Sequence, residues 1–343
     1  MSDSSDSSSA KLDLIGVGSP IMDLIATVPF EFLRDHVAGD QGGMVLVDDA
    51  EMSAILTALA DQTITSTGGS AANATLNATR LGLRTTYLGK LGNCDVAATY
   101  RNRFEALGID SSRFKTGEVP NARSLILTTP DADRTMRTDL GAAMTLSPDE
   151  ISSADFGGCR HTHMEGYLVF NEALADAVLA AARAAGCTVS IDLASFEVIN
   201  ATRPWIFKQL ASGIDIVFAN EDEIRALFED ETSPYDELAK RLASHGVIAA
   251  VKVGKDGAWI AQGDELHRIA PVVVDNVVDT NGAGDSWAAG FLSAYLRGKS
   301  LAESGKIASH VGAETVKHLG PIIPDDIFAD LKSRLENLSR DPV

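Results

Sequence analysis

The segment VVDTNGAGDSWAAGFL, residues 277–292, gathers groups suited to phosphate chemistry. Gly282, Ala283 and Gly284 are small enough for a tight strand-to-helix turn. The amides at a helix start lack partners within the helix and attract a phosphate or a developing oxyanion. Asp285 stands one residue beyond this turn, where its carboxylate can reach the same cavity and take the proton of a hydroxyl attacking phosphorus. The competing reading is an Asp that only caps its helix. Asp279 and Thr280, just upstream, add polar groups, and a second glycine-rich polar stretch, TGGSAANAT, occupies residues 67–75. There Gly68 and Gly69 would let a ligand approach the backbone, and Asn73 offers both a donor and an acceptor. The alternative is an ordinary loop leading into a helix whose Ala71 and Ala72 face the core.

Such groups need strand–turn–helix units to hold them, and the chain is patterned that way. LDLIGVGS, residues 12–19, reads as a buried strand entering a glycine turn, and TTYLGKLG as another strand. STGGSAANATLNATRLG reads as a small-residue loop feeding a helix that Gly82 ends. From residue 159 onward, apolar strands alternate with helical patterns, including a helix after Pro204, and AWIAQGDELHRIAP reads as an edge hairpin. This predicts an α/β fold, with a mostly parallel sheet covered by helices on both sides. Residues 110–140 differ, because SLILTTP and RTMRTDL flank DAD in the pattern of a hairpin. The expected organisation is one α/β domain over residues 11–335. It carries a small β lid drawn from about 25–60 and 112–140, with polar tails at 1–10 and 336–343.

Composition narrows the function classes. The 343 residues include 29 Lys plus Arg against 48 Asp plus Glu, a formal net charge of −19. That field repels nucleic acid and anionic membrane but leaves room for a small anionic substrate met by local donors. The three cysteines, Cys94, Cys159 and Cys187, have no C-x-x-C spacing and fit a reducing cytoplasm. MSDSSDSSSA lacks the apolar core of a signal peptide, and no apolar run is long enough to predict a transmembrane helix. His161 and His163 share a strand face without a nearby acidic or cysteine ligand set, which favours a core or pocket-lining role over zinc. Cys94 has no histidine near it in sequence and reads as packing, not as a nucleophile.

Taken together, in this order and spacing, TGGSAANAT and DTNGAGDSWAAGFL resemble the ribokinase/PfkB family of carbohydrate and nucleoside kinases. The resemblance runs from LDLIGVGS to about Leu331. It implies a Rossmann-like, ribokinase-like α/β domain with a small β lid and transfer of the γ-phosphoryl group of ATP to an alcohol, with Mg²⁺ as the accompanying ion and a monovalent cation as a further candidate. The family's catalytic aspartate falls on Asp285, and its anion hole on the backbone of Gly282, Ala283 and Gly284. A second aspartate, which holds the substrate's sugar hydroxyls, falls on Asp23 in GVGSPIMDL; a turn-capping Asp is the alternative. Gly68, Gly69 and Asn73 fall on the substrate side. Asn220 and Glu223 match the N-x-x-E element that organises hydrated Mg²⁺ and phosphates, mostly through water. The same spacing is also a capping box, and both roles can coexist.

Gly254 and Gly257 resemble the loop beside the nucleotide, with Thr280 near its phosphates. Lys252 is read either as a nucleotide contact or as a solvated lysine at a strand end. GKDG is not a Walker site, since it lacks the GK[ST] ending. Arg123 and Arg137 lie in the expected lid, where an arginine could approach the transferred phosphate on closure. GVGSPIMD, Asn281 and TTPDADRTM lean toward the adenosine-kinase-like branch, hence toward the 5′-hydroxyl of a ribonucleoside with adenosine leading. A PfkB-type sugar kinase acting on ribose, fructose or a related sugar is the alternative enzyme. A silent nucleotide- or sugar-binding protein is the non-enzyme reading. Departures from the branch pattern at Ser19, Cys94, Ala97, Asn121, Ala122 and Arg137 gather on the substrate side. An exposed apolar face on the lid would favour pairing into a homodimer.

Overall fold

Short apolar runs separated by amphipathic helices give the chain two main sheets and a separate two-stranded pair. The computed structural model describes residues 11–38, 43–60, 62–131, 134–211 and 213–338. In the first part, β1 (Leu12–Val17), β2 (Ile21–Thr27), α1 (Phe30–His36), β3 (Gly43–Leu46), α2 (Asp49–Leu59), β4 (Ile64–Gly68) and α3 (Ser70–Arg80) follow one another. Next come β5 (Thr85–Leu88), β6 (Lys90–Leu91), α4 (Asp95–Ala106), β7 (Lys115–Thr116), β8 (Arg123–Thr128) and β9 (Arg134–Asp139). The second half runs β10 (Cys159–Glu165), α5 (Glu172–Ala184), β11 (Thr188–Asp192), α6 (Phe196–Leu210), β12 (Ile216–Ala219), α7 (Glu221–Phe228), α8 (Tyr235–Ala243) and β13 (Ile248–Lys252). It closes with β14 (Ala258–Gln262), β15 (Glu265–Ile269), α9 (Ala283–Tyr295), α10 (Leu301–Thr315) and α11 (Asp325–Leu338).

The large sheet has the order β15-β14-β13-β12-β11-β10-β1-β5, parallel from β5 to β13 and antiparallel through the edge hairpin β14–β15. Apolar side chains pack against both of its faces, as a sheet covered twice requires, with the buried polar run of β10 as an exception. Ile15, Val17, Val217 and Ala219 pack with the residues of α5 to α8 on one face. Leu14, Ile216 and Phe218 pack with Trp287 and Phe291 of α9 on the other. The expected Rossmann-like α/β architecture is therefore present.

The second sheet has the order β3-β9-β8-β2-β4 and includes the antiparallel pair β8–β9 expected from SLILTTP and RTMRTDL. Met22, Leu24 and Leu125 share its core with Met52 and Ile55 of α2 and Tyr100 of α4. Met44, Val45 and Leu46 of β3 and Ile64 of β4 remain exposed.

Several local expectations shift. Residues 66–68, read as loop, form the end of β4 because they pair antiparallel with β2, from Asp23 opposite Ser66 to Ile21 opposite Gly68. TTYLGKLG splits at Gly89, where a Cβ would lie 2.5 Å from the Gly18 carbonyl oxygen, so two backbones cross there. The helix expected after Pro204 begins at Phe196, with Ser195 Oγ accepting from the Val198 amide. Burial of Val198, Ile199, Trp205 and Ile206 holds that helix together although Pro204 removes one internal donor. Helix α11 was not anticipated; Phe328, Leu331 and Leu335 bury its apolar face. It continues through Leu338, into the segment expected to be a tail, while residues 1–10 and 339–343 lie outside the described residues. Among the described residues no helix is long and apolar enough to cross a membrane.

The topology concentrates polar residues at one edge. Ser19 follows β1, Glu165 and Asp192 end β10 and β11, Asn220 follows β12, and Lys252 ends β13, so five neighbouring parallel strands deliver polar groups at their carboxyl ends. Between β1 and β10 the strand order reverses direction, and ligands of open α/β sheets occupy such a crevice. Gly16 lets α3 lie against β1 beneath it, since a Cβ there would stand 2.0 Å from Thr75 Oγ1. Gly16→Ala is expected to lower stability by about 1–3 kcal/mol through overpacking, read as a shift of the urea midpoint with an unchanged slope.

Candidate active site

Asp285 occupies the third position of α9, whose start is set by Gly282 in the left-handed region at φ +71°. Glycine is required there twice over, because a Cβ would also come within 2.3 Å of the Pro321 side chain. The helix start has no side-chain cap, so Asp285 is not spent on its own helix. Its two carboxylate oxygens instead accept hydrogen bonds from Ser70 Oγ and Asn73 Nδ2, each at 2.9 Å. Ser70 and Asn73 stand three apart in the first turn of α3 and therefore share a face. The amide of Ala283 turns back to the Thr280 carbonyl at 3.3 Å.

Asp23 lies in β2 between Ser66 and Ser124 of its neighbours, buried but with no protein donor to its carboxylate among the described residues. Gly68 makes room for it, since a Cβ there would be 2.3 Å from Asp23 Oδ1. Gly69, at φ +97°, begins α3 and passes so close to Ser19 that a Cβ would meet its carbonyl oxygen at 2.2 Å. Burial, then the nearby Asp285 carboxylate, pushes the Asp23 pKa up to about 7. Asp285 is raised to about 6 by burial, a shift opposed by the Asn73 hydrogen bond. Asp23, Gly68, Gly69, Asn73 and Asp285 thus come together where the two sheets meet.

Two further carboxylates border this group. Glu165 accepts from the Ser19 amide at 2.8 Å and the Ala71 amide at 3.4 Å, tying the turn after β1 to the first turn of α3. Its burial raises its pKa to about 7. Asp192 pairs with Lys252 Nζ at 2.8 Å, a buried contact spanning the intervening strand β12. Asn220 and Glu223 form the capping box of α7: Asn220 Oδ1 accepts from the Glu223 amide, and Glu223 accepts from the Asn220 amide and side chain at 2.8 and 2.7 Å. Burial and then Asp192 raise Glu223 to about 7. Among the described residues no group of three or more His, Cys, Asp or Glu is arranged to hold a metal.

The other anticipated residues have structural accounts of their own. Gly254 and Gly257 form the turn into β14; at Gly257, φ +96°, a Cβ would meet the Ile269 carbonyl at 2.1 Å, so the hairpin itself demands glycine. Thr280 is exposed just before the α9 turn. Arg123 is engaged with Asp49 and Asp139, and the buried Arg137 donates to the carbonyls of Ala38 and Met136. Cys94 Sγ accepts from the Asn121 amide. His161 and His163 share Ser190 Oγ inside the sheet and are driven by burial to pKa values of about 3 and 4.

Sequence reasoning singled out neither Ser70 nor Glu165 nor Asp192. The signal for Ser70 was its i, i+3 relation to Asn73; for the two acids it was their position at strand ends, visible only once the parallel order is known. Asp23→Asn checks the cost of the crowded carboxylates. A raised acid pKa means that folding disfavours the charged form, so parental stability is greatest below the unfolded value near 4 and falls as pH rises through 7. The Asn variant is therefore expected to be more stable than the parent at pH 8, on the order of a few kcal/mol, with the difference vanishing toward pH 4 in urea titrations.

The chain is similar to several known proteins. The nucleoside kinase of Methanothermobacter thermautotrophicus is 30% identical over 256 residues, covering 74% of this chain and 79% of its own. An uncharacterized sugar kinase of Archaeoglobus fulgidus is 29% identical over 248 residues, 70% of this chain and 94% of its own. The crystal structure of adenosine kinase from Sinorhizobium meliloti superposes with a TM-score of 0.82 at 31% identity, covering 95% of this chain and 99% of that one. The profile of the pfkB family carbohydrate kinases matches residues 44–327, and the chain belongs to that family.

Proposed function

We propose that this chain transfers the γ-phosphoryl group of ATP to the 5′-hydroxyl of a ribonucleoside, with adenosine the leading acceptor. Membership of the pfkB family supports ATP-dependent phosphotransfer. The single observation that carries the chemistry is Asp285: a carboxylate in the first turn of α9, beside the 282–284 amides, held by Ser70 and Asn73 and facing Asp23. Similarity to adenosine kinase across almost the whole chain supports a nucleoside acceptor. Sugar kinases and an ATP-dependent ribose-1-phosphate kinase of Halopiger xanaduensis, 28% identical over 256 residues, keep a sugar acceptor as the second reading.

In this mechanism Asp23, which has no protein donor among the described residues, accepts hydrogen bonds from the acceptor's vicinal diol and fixes its orientation. Asp285 takes the proton as the hydroxyl oxygen forms its bond to the γ-phosphorus. The bond from that phosphorus to the β–γ bridging oxygen breaks, and its electron pair leaves with ADP. The helix-start amides of Gly282, Ala283 and Gly284 gather the charge of the transferred group. A Mg²⁺ ion bound with ATP would supply neutralisation of phosphate charge, with Asn220 and Glu223 the residues that would hold its waters. Both Glu223 oxygens already accept a hydrogen bond, so Asn220 and Glu223 suit its waters better than direct ligation. Gly254, Gly257 and Thr280 border the nucleotide in this reading, and the second sheet acts as the lid. The exposed Met44, Val45, Leu46 and Ile64 support pairing of two lids in a homodimer.

Incubation with ATP, Mg²⁺ and a panel of nucleosides and sugars, followed by product mass, tests the acceptor. A monophosphate formed from adenosine and not from ribose or fructose is expected; the reverse preference would replace the nucleoside reading with the sugar one. Asp285→Asn is expected to lower kcat by about 100-fold or more while the far-ultraviolet spectrum and urea midpoint stay near the parent's. Because the base must be ionised, parental kcat should rise with pH through about 6 and lose that limb in the variant.

A further inference from the structure

The Lys252–Asp192 pair has no part in the steps above, yet it lies against the turn that performs them. Lys252 ends β13 and Asp192 ends β11, and their contact of 2.8 Å is almost wholly shielded from water, with 13% and 7% of the side chains exposed. A Cβ placed on Gly284 would stand 3.1 Å from Lys252 Nζ. The ammonium therefore lies beside Gly284, at the downstream end of the 282–284 segment. Asp285 and Glu223 also lie within its field, so one buried cation serves three carboxylates. Burial opposes its charge, but Asp192 and then Glu223 keep its pKa above the ordinary lysine value. It stays charged wherever the enzyme works.

We propose that Lys252 is a catalytic electrophile, held in readiness by Asp192 and transferred to a non-bridging oxygen of the γ-phosphoryl group when ATP fills the turn. This inference rests on the phosphotransfer reading. The lysine keeps its three protons throughout; it exchanges one hydrogen-bond acceptor, the Asp192 carboxylate, for another whose charge grows as the bond to ADP breaks. An ammonium in a water-poor site stabilises that charge more than water would, and it needs no reorganisation because its position is preset. Asp192 acts through Lys252 and is a positioning residue. Gly284 fits the same account, since any side chain there would press on the ammonium.

The rival account is a purely structural ion pair stitching β11 to β13. Steady-state kinetics on the full-length parent, Lys252→Met, Lys252→Arg, Asp192→Asn and the Met/Asn double variant separate the two, with urea midpoints measured in parallel. Lys252→Met is expected to lose about 30-fold or more in kcat with the acceptor KM within about threefold of the parent. Lys252→Arg should recover at least a tenth of the parental rate, and Asp192→Asn should lose less than Lys252→Met. The double variant should be no slower than Lys252→Met, because Asp192 has nothing left to position. Parental kcat in Lys252→Met, or a double variant whose losses multiply, would overturn the inference and leave phosphotransfer standing. Should Lys252→Met fail to fold, an Arg variant that folds but stays as slow as Asp285→Asn would overturn it as well. A parent inert toward the whole acceptor panel would refute the phosphotransfer reading itself, and this inference with it.

Discussion

Two hydrogen bonds to one carboxylate join the halves of this molecule at the point where chemistry is expected. Ser70 and Asn73 belong to a helix that grows directly out of the second sheet, whereas Asp285 begins a helix packed on the large one. The contact therefore does more than orient an acid. It ties the 282–284 turn to the sheet that carries Asp23. Glycines at 68, 69 and 282 are the steric conditions for that approach, each replacing a side chain that would strike a neighbour.

Beneath the contact lies an unusual density of buried acids. Asp23, Glu165, Glu223 and Asp285 all have raised pKa values, and the Lys252 ammonium lies among them. Such an arrangement opposes folding at neutral pH and is retained only where the rest of the structure overdetermines it. The large sheet supplies that support. Apolar side chains cover both of its faces, and the carboxylates with raised pKa values that it carries, Glu165 and Glu223, stand at or just beyond the carboxyl ends of its strands.

Much of this was legible in the sequence. The strand–helix alternation, the β8–β9 hairpin and the two glycine-rich motifs could be read directly, and the motifs marked Asp285, Asn73 and Gly68 as candidates. Other parts depend on long-range partners. Ser66 to Gly68 read as loop because their strand character comes from pairing with β2. Glu165 and Asp192 are single acids in apolar runs, and their place at a common rim follows from the order of strands far apart in the chain. Pro204 misled the helix boundary because burial along α6 outweighed one missing hydrogen bond. Asn220 and Glu223 form the capping box that their spacing suggested, and this local bonding also limits how they can meet an ion.

The solitary position of Asp23 has a calorimetric consequence. At neutral pH this carboxylate is held near its midpoint of titration, and the arrival of two hydroxyl donors would favour its ionised form. Were an acceptor's hydroxyls to bind there, a fraction of a proton would be expelled into the medium. The heat measured on mixing would include the ionisation enthalpy of whichever buffer receives that proton, so titrations in Tris and in phosphate should give different apparent enthalpies for the same complex.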